Sequence, residues 1–143
     1  MSGVAVIRYL LVNNAPLVAL IPAGQIVAGD FPINQPMPAI SVKQISSVPR
    51  LTISMLGPKM HTDRVQVSVL VKNAPQPVGV PAGYPGVKNV IKKVLAACPN
   101  QHGVINTFTV DSIVPDIEGP DLPNPELSLQ GSSRDFIVKW FEP

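Results

Sequence analysis

The residues from His61 to Asn73, "HTDRVQVSVLVKN", constrain the fold most, because valine recurs at every second position. Successive side chains of a β-strand point to opposite faces, so this spacing places Val65, Val67, Val69 and Val71 on one face. We expect that face to meet helices in a two-layer domain. The other face is only moderately polar and is a candidate surface for contact with a second copy; it carries Gln66, Ser68, Leu70 and Lys72.

Two segments have the spacing of helices. Residues 3–13 carry apolar residues three and four apart, with Ser2 as a plausible N-cap, and a second short helical piece over 15–21 has Pro16 in its first turn. The clearest helix follows Gly86 and ends at Pro99. Its single apolar stripe consists of Val87, Val90, Ile91, Val94, Leu95 and Cys98.

The remaining regular segments read as strands. A short strand is expected within 24–31, and another begins at Pro38, where Ile45 breaks the alternation and predicts a bulge or bend. Residues 103–114 and 134–142 are also strand-like. The early strands are joined by short connectors, as antiparallel neighbours are.

Two proline-bearing segments, 49–61 and 115–130, are predicted to be long loops, since proline is excluded from central strands. The predicted fold is therefore α+β: a mostly antiparallel β-sheet with two main helices packed on one face, in two layers. We expect residues 1–143 to form a single domain.

Composition favours a chain that buries its surface against partners. Charged residues make up 14% of the sequence and there are 17 prolines. Residues 1–110 contain nine Lys or Arg and two acids, whereas residues 111–143 contain two Lys or Arg and seven acids. Either the two charge excesses meet between copies in a head-to-tail contact, or they screen each other within one fold.

No pattern in the sequence indicates catalysis. His61 and His102 stand beside turn residues without a second ligand at metal-binding spacing, and nucleotide-binding glycine motifs are absent. The single cysteine, Cys98, lies on the apolar helix stripe and is expected to be a small buried hydrophobe. No apolar run reaches the 18 residues of a membrane span. We therefore expect no enzyme activity, no cofactor, no metal and no membrane contact.

The order of elements resembles the tail-terminator proteins of long-tailed bacteriophages, also called minor tail or tail-completion proteins. The resemblance lies in "VIRYLLVNNAPLVALI", then "GQIVAGDFPINQPMPAISVKQIS", "DRVQVSVLVKN" and "YPGVKNVIKKVLAAC", followed by closing strands. The resemblance covers most of the chain, and it consists of patterns of residue class and not of catalytic signatures. A basic residue is common just after the leading glycine in that family, whereas Gln25 stands there in this sequence.

The resemblance implies a virion protein located at the head-proximal end of the tail, and in the host cytoplasm during assembly. A hexameric ring of self-associating copies would cap the tube, end its polymerisation and join it to the head connector. Its partners would be the major tail-tube protein, the head–tail connector protein, and genomic DNA passing through the lumen without sequence-specific binding. The alternatives are a head-completion or tail-tube subunit of the same virion and, from another class, a small cytosolic enzyme with an unrecognised site.

Two sets of residues are candidates for the contacts that this role requires. Residues of the predicted loops would touch the tube or connector or line the lumen, where acids would repel DNA phosphates; they are Arg50, Lys59, Asp116, Glu118, Asp121 and Glu126. Strand and helix residues would make ring contacts; they are Gln66, Ser68, Leu70, Lys72, Lys88 and Lys92. Strand addition between copies is one way in which sheet edges would contribute.

Overall fold

The computed structural model describes residues 2–32, 34–50, 60–72, 83–121 and 129–142. Helices pack on one side of a single six-stranded sheet. The helices are α1 (Ser2–Val12), α2 (Ala15–Leu20) and α3 (Gly83–Ala97), with one 3-10 turn at Ala23–Gln25. The strands are β1 (Ile26–Ala28), β2 (Ala39–Arg50), β3 (Met60–Lys72), β4 (Gly103–Ile105), β5 (Phe108–Glu118) and β6 (Leu129–Phe141).

The sheet has the order β1-β2-β3-β6-β5-β4, and all neighbours except β1 and β2 are antiparallel. The predicted α+β class with a mostly antiparallel, two-layer arrangement is confirmed. The expectation that the early strands are all antiparallel is wrong, because β1 runs parallel to β2. β1 has only three residues, so the connector over 29–38 is long enough to carry the chain back to the end of the sheet where β1 begins. β2 therefore starts beside the beginning of β1 and runs in the same direction.

The four alternating valines of β3 form the floor of the core. Val65, Val67, Val69 and Val71 have no exposed surface, and they pack with buried residues of α1, α3 and β6. A fully buried valine side chain contributes about 1.5–3 kcal/mol relative to an exposed one. The alternation in the sequence therefore identified the strand that holds the two layers together.

The helices follow the predicted apolar stripes. Val87, Val90 and Val94 of α3 are buried against the sheet, and the helix ends at Ala97, before Pro99. The side chain of Asn14 caps α2 by accepting a hydrogen bond from the amide of Leu17 at 3.0 Å. The bulge predicted at Ile45 is confirmed, since the β2–β3 register shifts between Gln44 and Ser46.

Strands replace both ends of the two predicted loops. β2 continues to Arg50 and β3 begins at Met60, whereas β5 continues to Glu118 and β6 begins at Leu129. The middle parts of these segments, residues 51–59 and 122–128, lie outside the described residues. The loop prediction at 49–61 and 115–130 therefore needs correction at its boundaries, where Pro49 and Pro115 lie within strands.

Both prolines are compatible with a strand because their nitrogen atoms point away from the paired strand, β3 for Pro49 and β6 for Pro115. The carbonyl of Val42 points away from β3 and accepts a hydrogen bond from the amide of Gly29 at 2.9 Å. According to the register, the backbone of Pro49 has the same orientation, so its nitrogen also points away from β3. On β5, the amide of Ile113 points away from β6, to Asn100 Oδ1 at 3.1 Å, and Pro115 lies two residues further on. Because β1 and β4 are short, neither proline removes a hydrogen bond from the sheet.

The segment 103–114, predicted as one strand, is a hairpin. Asn106 and Thr107 connect β4 to β5 with positive φ angles of 47° and 69°. Two consecutive residues in this conformation form the turn type that fits the twist of paired strands. Asparagine tolerates positive φ well, but threonine is β-branched and does so rarely. Only one of the two turn residues, Asn106, is therefore of a type that predicts this turn.

Candidate interaction surfaces

A buried carboxylate joins α1 to the middle of the sheet. Asp63 has no exposed surface and extends the valine alternation of β3 by one step toward its start. Its Oδ2 atom accepts hydrogen bonds from the backbone amide of Gly3 at 3.0 Å and from Trp140 Nε1 at 2.9 Å. Its Oδ1 atom accepts one from Ser47 Oγ at 2.5 Å. We call these four residues the Asp63 junction.

The Asp63 junction depends on the absence of a side chain at position 3. A Cβ atom on Gly3 would lie 2.8 Å from both Cβ and Oδ2 of Asp63, and 3.1 Å from Cγ2 of Val65. A carboxylate at this place also complements the positive end of the α1 helix dipole. The sequence predicts Ser2 as the cap of α1, whereas in the structure a strand residue, Asp63, bonds the amide of Gly3.

Aromatic residues cover one side of the junction. The ring of His61 stacks on Trp140 with centroids 4.5 Å apart, and Phe108 meets the same indole edge-on at 5.8 Å. His61 Nε2 also lies 2.7 Å from Glu142 Oε1. His61, which falls within the predicted loop 49–61, is thus a residue of β3.

Three candidate acids of the predicted loop 115–130, Asp116, Glu118 and Asp121, lie on or just after β5 and form ion pairs. Arg64 Nη1 contacts Asp116 Oδ2 at 2.5 Å and Asp135 Oδ2 at 3.2 Å. These two carboxylates, first Asp116 and then Asp135, raise the pKa of the Arg64 guanidinium.

A second ion-pair group links α3 to the end of β5. Lys88 Nζ lies 2.9 Å from Asp121 Oδ1 and 3.3 Å from Glu118 Oε1, and 5.1 Å from the centre of the Tyr84 ring. The hydrogen bond to Asp121 is the main cause that raises the pKa of Lys88. Arg134 Nη1 lies 3.7 Å from the other oxygen of Glu118.

These pairs decide between the two interpretations of the uneven charge distribution. Arg64 and Lys88 from the basic part of the chain contact acids from the part after residue 110. The two charge excesses therefore screen each other within one copy, at least where the chain is described.

The predicted ring-contact residues occupy two places. Gln66, Ser68 and Leu70 lie half-buried on the face of β3 that points away from the helices, and Lys72 is exposed at its end. β3 is a central strand, flanked by β2 and β6, so it offers a face for contact and no free edge. On α3, Lys92 is exposed, whereas Lys88 is held by the ion pairs above.

The other predicted residues are less informative. Arg50 is the last residue of β2 and pairs with Met60. Lys59 and Glu126 lie outside the described residues.

Within the described ranges, β2 and β5 both extend beyond their short outer neighbours, which the sequence did not reveal. β1 covers β2 only at residues 40–42, and β4 covers β5 only at 108–110. Residues 43–50, the β2 edge, expose Ile45 and Val48 by 51% and 57%; residues 111–118, the β5 edge, expose Val114 and Ile117 by 44% and 58%. Both segments combine a proline with apolar residues, and this is the sequence feature that could have indicated an exposed strand edge.

The described residues hold little that could perform chemistry. An open cleft beside α1 is mainly apolar and is lined by Val4, Ala5, Arg8, Tyr9, Val12, Ala28, Asn106 and Phe108. Within the described ranges, no three His, Cys, Asp or Glu side chains are grouped as metal ligands would be. Burial raises the pKa of the Cys98 thiol to about 12, which disfavours the reactive thiolate. None of the described helices is long and apolar enough to cross a membrane.

Comparison with known proteins identifies the fold. No family model matches the sequence, and no curated protein matches it. Among solved structures, a chain of the "Virion of native gene transfer agent (GTA) particle" matches with a TM-score of 0.73 and 12% sequence identity. The match covers 97% of this chain and 94% of that one. At this identity the comparison establishes that the two chains share a fold over nearly their whole lengths.

Proposed function

We propose that this protein is a structural subunit of a phage-like virion and acts as its tail terminator. In this role a hexameric ring of copies caps the tail tube at its head-proximal end, stops the addition of tube subunits and joins the tube to the head connector. Its partners are other copies of itself, the tube protein and the connector protein, and it performs no reaction. The observation that carries the proposal is the fold shared, end to end, with a chain of a virion particle.

The surface of the molecule supports a role in assembly. Apolar side chains of β2 and β5 are exposed where these strands extend beyond the short β1 and β4, on opposite sides of the sheet, and a monomer gains nothing from them. A contact between two different surfaces of identical subunits closes into a ring when the rotation between copies permits. The same contacts generate an open tube when the rotation does not close, so a tail-tube subunit is the second candidate.

Genomic DNA would pass through such a ring without sequence-specific contacts. The acids expected to repel its phosphates, Asp116, Glu118 and Asp121, are paired with Arg64 and Lys88. Their net field is therefore small, and passage would rely on the lack of attraction more than on repulsion.

Location and genetics test the proposal together. In particles purified from the source organism, a gold label on a tagged copy should mark the junction between head and tail. Cells that lack the chain should assemble tails of uncontrolled length without heads, because nothing stops the tube. Label along the whole tail would instead identify a tube subunit, and absence of the chain from purified particles would refute a virion role.

The isolated protein provides an independent measurement. Light scattering should detect an oligomer of one size, and electron microscopy should show closed rings. Open-ended tubes would favour the tube subunit.

A further inference from the structure

The apolar cleft beside α1 continues along the molecule as a groove. The cleft has a volume of about 400 Å³, and two of its residues, Val4 and Ala28, also line a second hollow of about 360 Å³ that extends to Val42 and Lys43 of β2. Volumes of this size are typical of ligand sites. Because both hollows are open to solvent and meet at these shared residues, the groove suits an extended segment of polypeptide.

Arg8 gives this groove its charge. Its Nε atom donates a hydrogen bond to the carbonyl of Ile26 at 3.1 Å, which holds the half-buried side chain against β1. In the part of the chain that the structure describes, no carboxylate lies within ion-pair distance of Arg8, whereas Lys43 at the other end of the groove pairs with Asp30. The Nη groups of Arg8 are therefore available to an acceptor from another molecule, and a guanidinium binds a carboxylate through two parallel hydrogen bonds.

A second copy of this chain has little carboxylate to offer. Every described Asp and Glu except Asp111 is either buried or bonded to a basic side chain; those engaged are Asp30, Asp63, Asp116, Glu118, Asp121, Asp135 and Glu142. A nucleic acid fits poorly as well, because apolar side chains surround a single unpaired cation. An acid-bearing apolar segment of a different protein matches both the charge and the lining of the groove.

We propose that the groove docks an extended segment of another protein of the assembly, in which apolar side chains flank one Asp or Glu. The carboxylate binds the Nη groups of Arg8, and the apolar side chains on either side of it cover Tyr9, which is 41% exposed, and the half-buried Phe108. The inference rests on the proposed assembly role for the class of partner, and it names the surface of this chain that the partner binds.

A pair of short peptides tests the docking on the intact protein. In an extended chain every second side chain points the same way, so acetyl-Leu-Ala-Glu-Ala-Leu-amide presents two leucines and the glutamate between them to the groove. In an NMR titration of the isotope-labelled protein, shifts should be confined to amides around the groove. The same peptide with Gln in place of Glu should bind at least about threefold more weakly. Salt at about 0.5 M should reduce that difference, because it screens the charges.

Two variants and a matched control locate the site. Arg8→Gln should bind the Glu peptide no more tightly than the Gln peptide. Ala28→Leu fills the groove from an exposed position and should weaken both peptides at least about threefold. Lys92→Gln removes an exposed cation of α3 outside the groove and should change neither affinity by more than about 1.5-fold. If Arg8→Gln fails to fold, Ala28→Leu and the peptide pair still decide. Absence of shifts at the groove, equal binding of the two peptides, or equal losses for Lys92→Gln and Arg8→Gln would overturn the inference.

Two further measurements examine other occupants. Octanoate carries one apolar chain on a carboxylate, and tighter binding of octanoate than of the Glu peptide would identify a site for a small amphiphile and overturn the inference. Shifts of the same amides on dilution of the protein alone would show that a second copy covers the groove, with the same consequence. Failure of peptide binding leaves the tail-terminator role intact, because labelling of particles decides that role. Absence of the chain from particles removes the role without changing the peptide affinities.

Discussion

Two substitutions of Asp63 separate the contribution of its buried hydrogen bonds to stability from the contribution of its charge. Both buried donors of the Asp63 junction, the Gly3 amide and Trp140 Nε1, bond the same oxygen, Oδ2. Asp63→Ala leaves both without a partner, at about 1–3 kcal/mol each, so we expect the free energy of unfolding to fall by about 4 kcal/mol. Ser47 is exposed and can bond water instead.

Asp63→Asn is the matched control because its carbonyl oxygen can occupy the place of Oδ2 and keep both donors. Only the charge assistance is lost, and we expect a decrease of about 1–2 kcal/mol. The amide group would then face Ser47, whose hydroxyl can accept a hydrogen bond as well as donate one.

Urea unfolding monitored by circular dichroism and by fluorescence measures both variants. Trp140, the only tryptophan, reports the junction itself. The comparison requires an unchanged dependence of the free energy on denaturant, which shows that the unfolded reference is the same. Equal losses for Asn and Ala would show that charge at the start of α1 dominates over hydrogen-bond count. A loss below about 1 kcal/mol for Ala would refute the assignment of this junction as a stabilising contact.

Four further substitutions test other parts of the structure. Gly3→Ala should destabilise the fold by about 1–3 kcal/mol in urea, because its Cβ would lie 2.8 Å from Asp63; no loss would show that α1 shifts freely. The Cys98 thiol, with its pKa raised by burial from 9.0 to about 12, keeps its proton longer in the folded chain. Stability should therefore be full below pH 9 and fall as pH rises toward 12, by up to about 1.4 kcal/mol per pH unit, and Cys98→Ala should remove that part of the slope. Pro49→Ala and Pro115→Ala should each change the unfolding free energy by less than about 1 kcal/mol, since neither restores a sheet hydrogen bond; a larger gain would show that the nitrogen faces the neighbouring strand.

Periodicity predicted the parts of the fold that depend on one buried face. The valines of β3 and the stripe of α3 are buried as expected, and the broken phase at Ile45 marks a bulge. The α+β class follows from the same patterns, because a strand with one apolar face requires a covering layer.

The features that were missed depend on neighbours that the sequence does not reveal. A proline in a strand is acceptable only when its nitrogen faces an open edge, and the edge at Pro115 exists because β4 is short. The parallel pairing of β1 likewise depends on its length of three residues. Asp63 is different, because its position two residues before Val65 already predicts that it lies on the core face. The reason for a buried carboxylate there is visible only in the structure, where Gly3 and Trp140 donate hydrogen bonds to it.

The position of β6 in the sheet has a consequence for how the molecule is made. β6 is synthesised after the other five strands and yet lies between β3 and β5. Until it leaves the ribosome, β3 has no partner on that side, and the hairpin of β4 and β5 cannot join the rest of the sheet. Completion of the sheet therefore requires contacts between distant parts of the chain, which form only when translation of β6 is complete. A chain that ends before β6 leaves β3 and β5 unjoined, so the six-stranded sheet is completed by the last strand to be made.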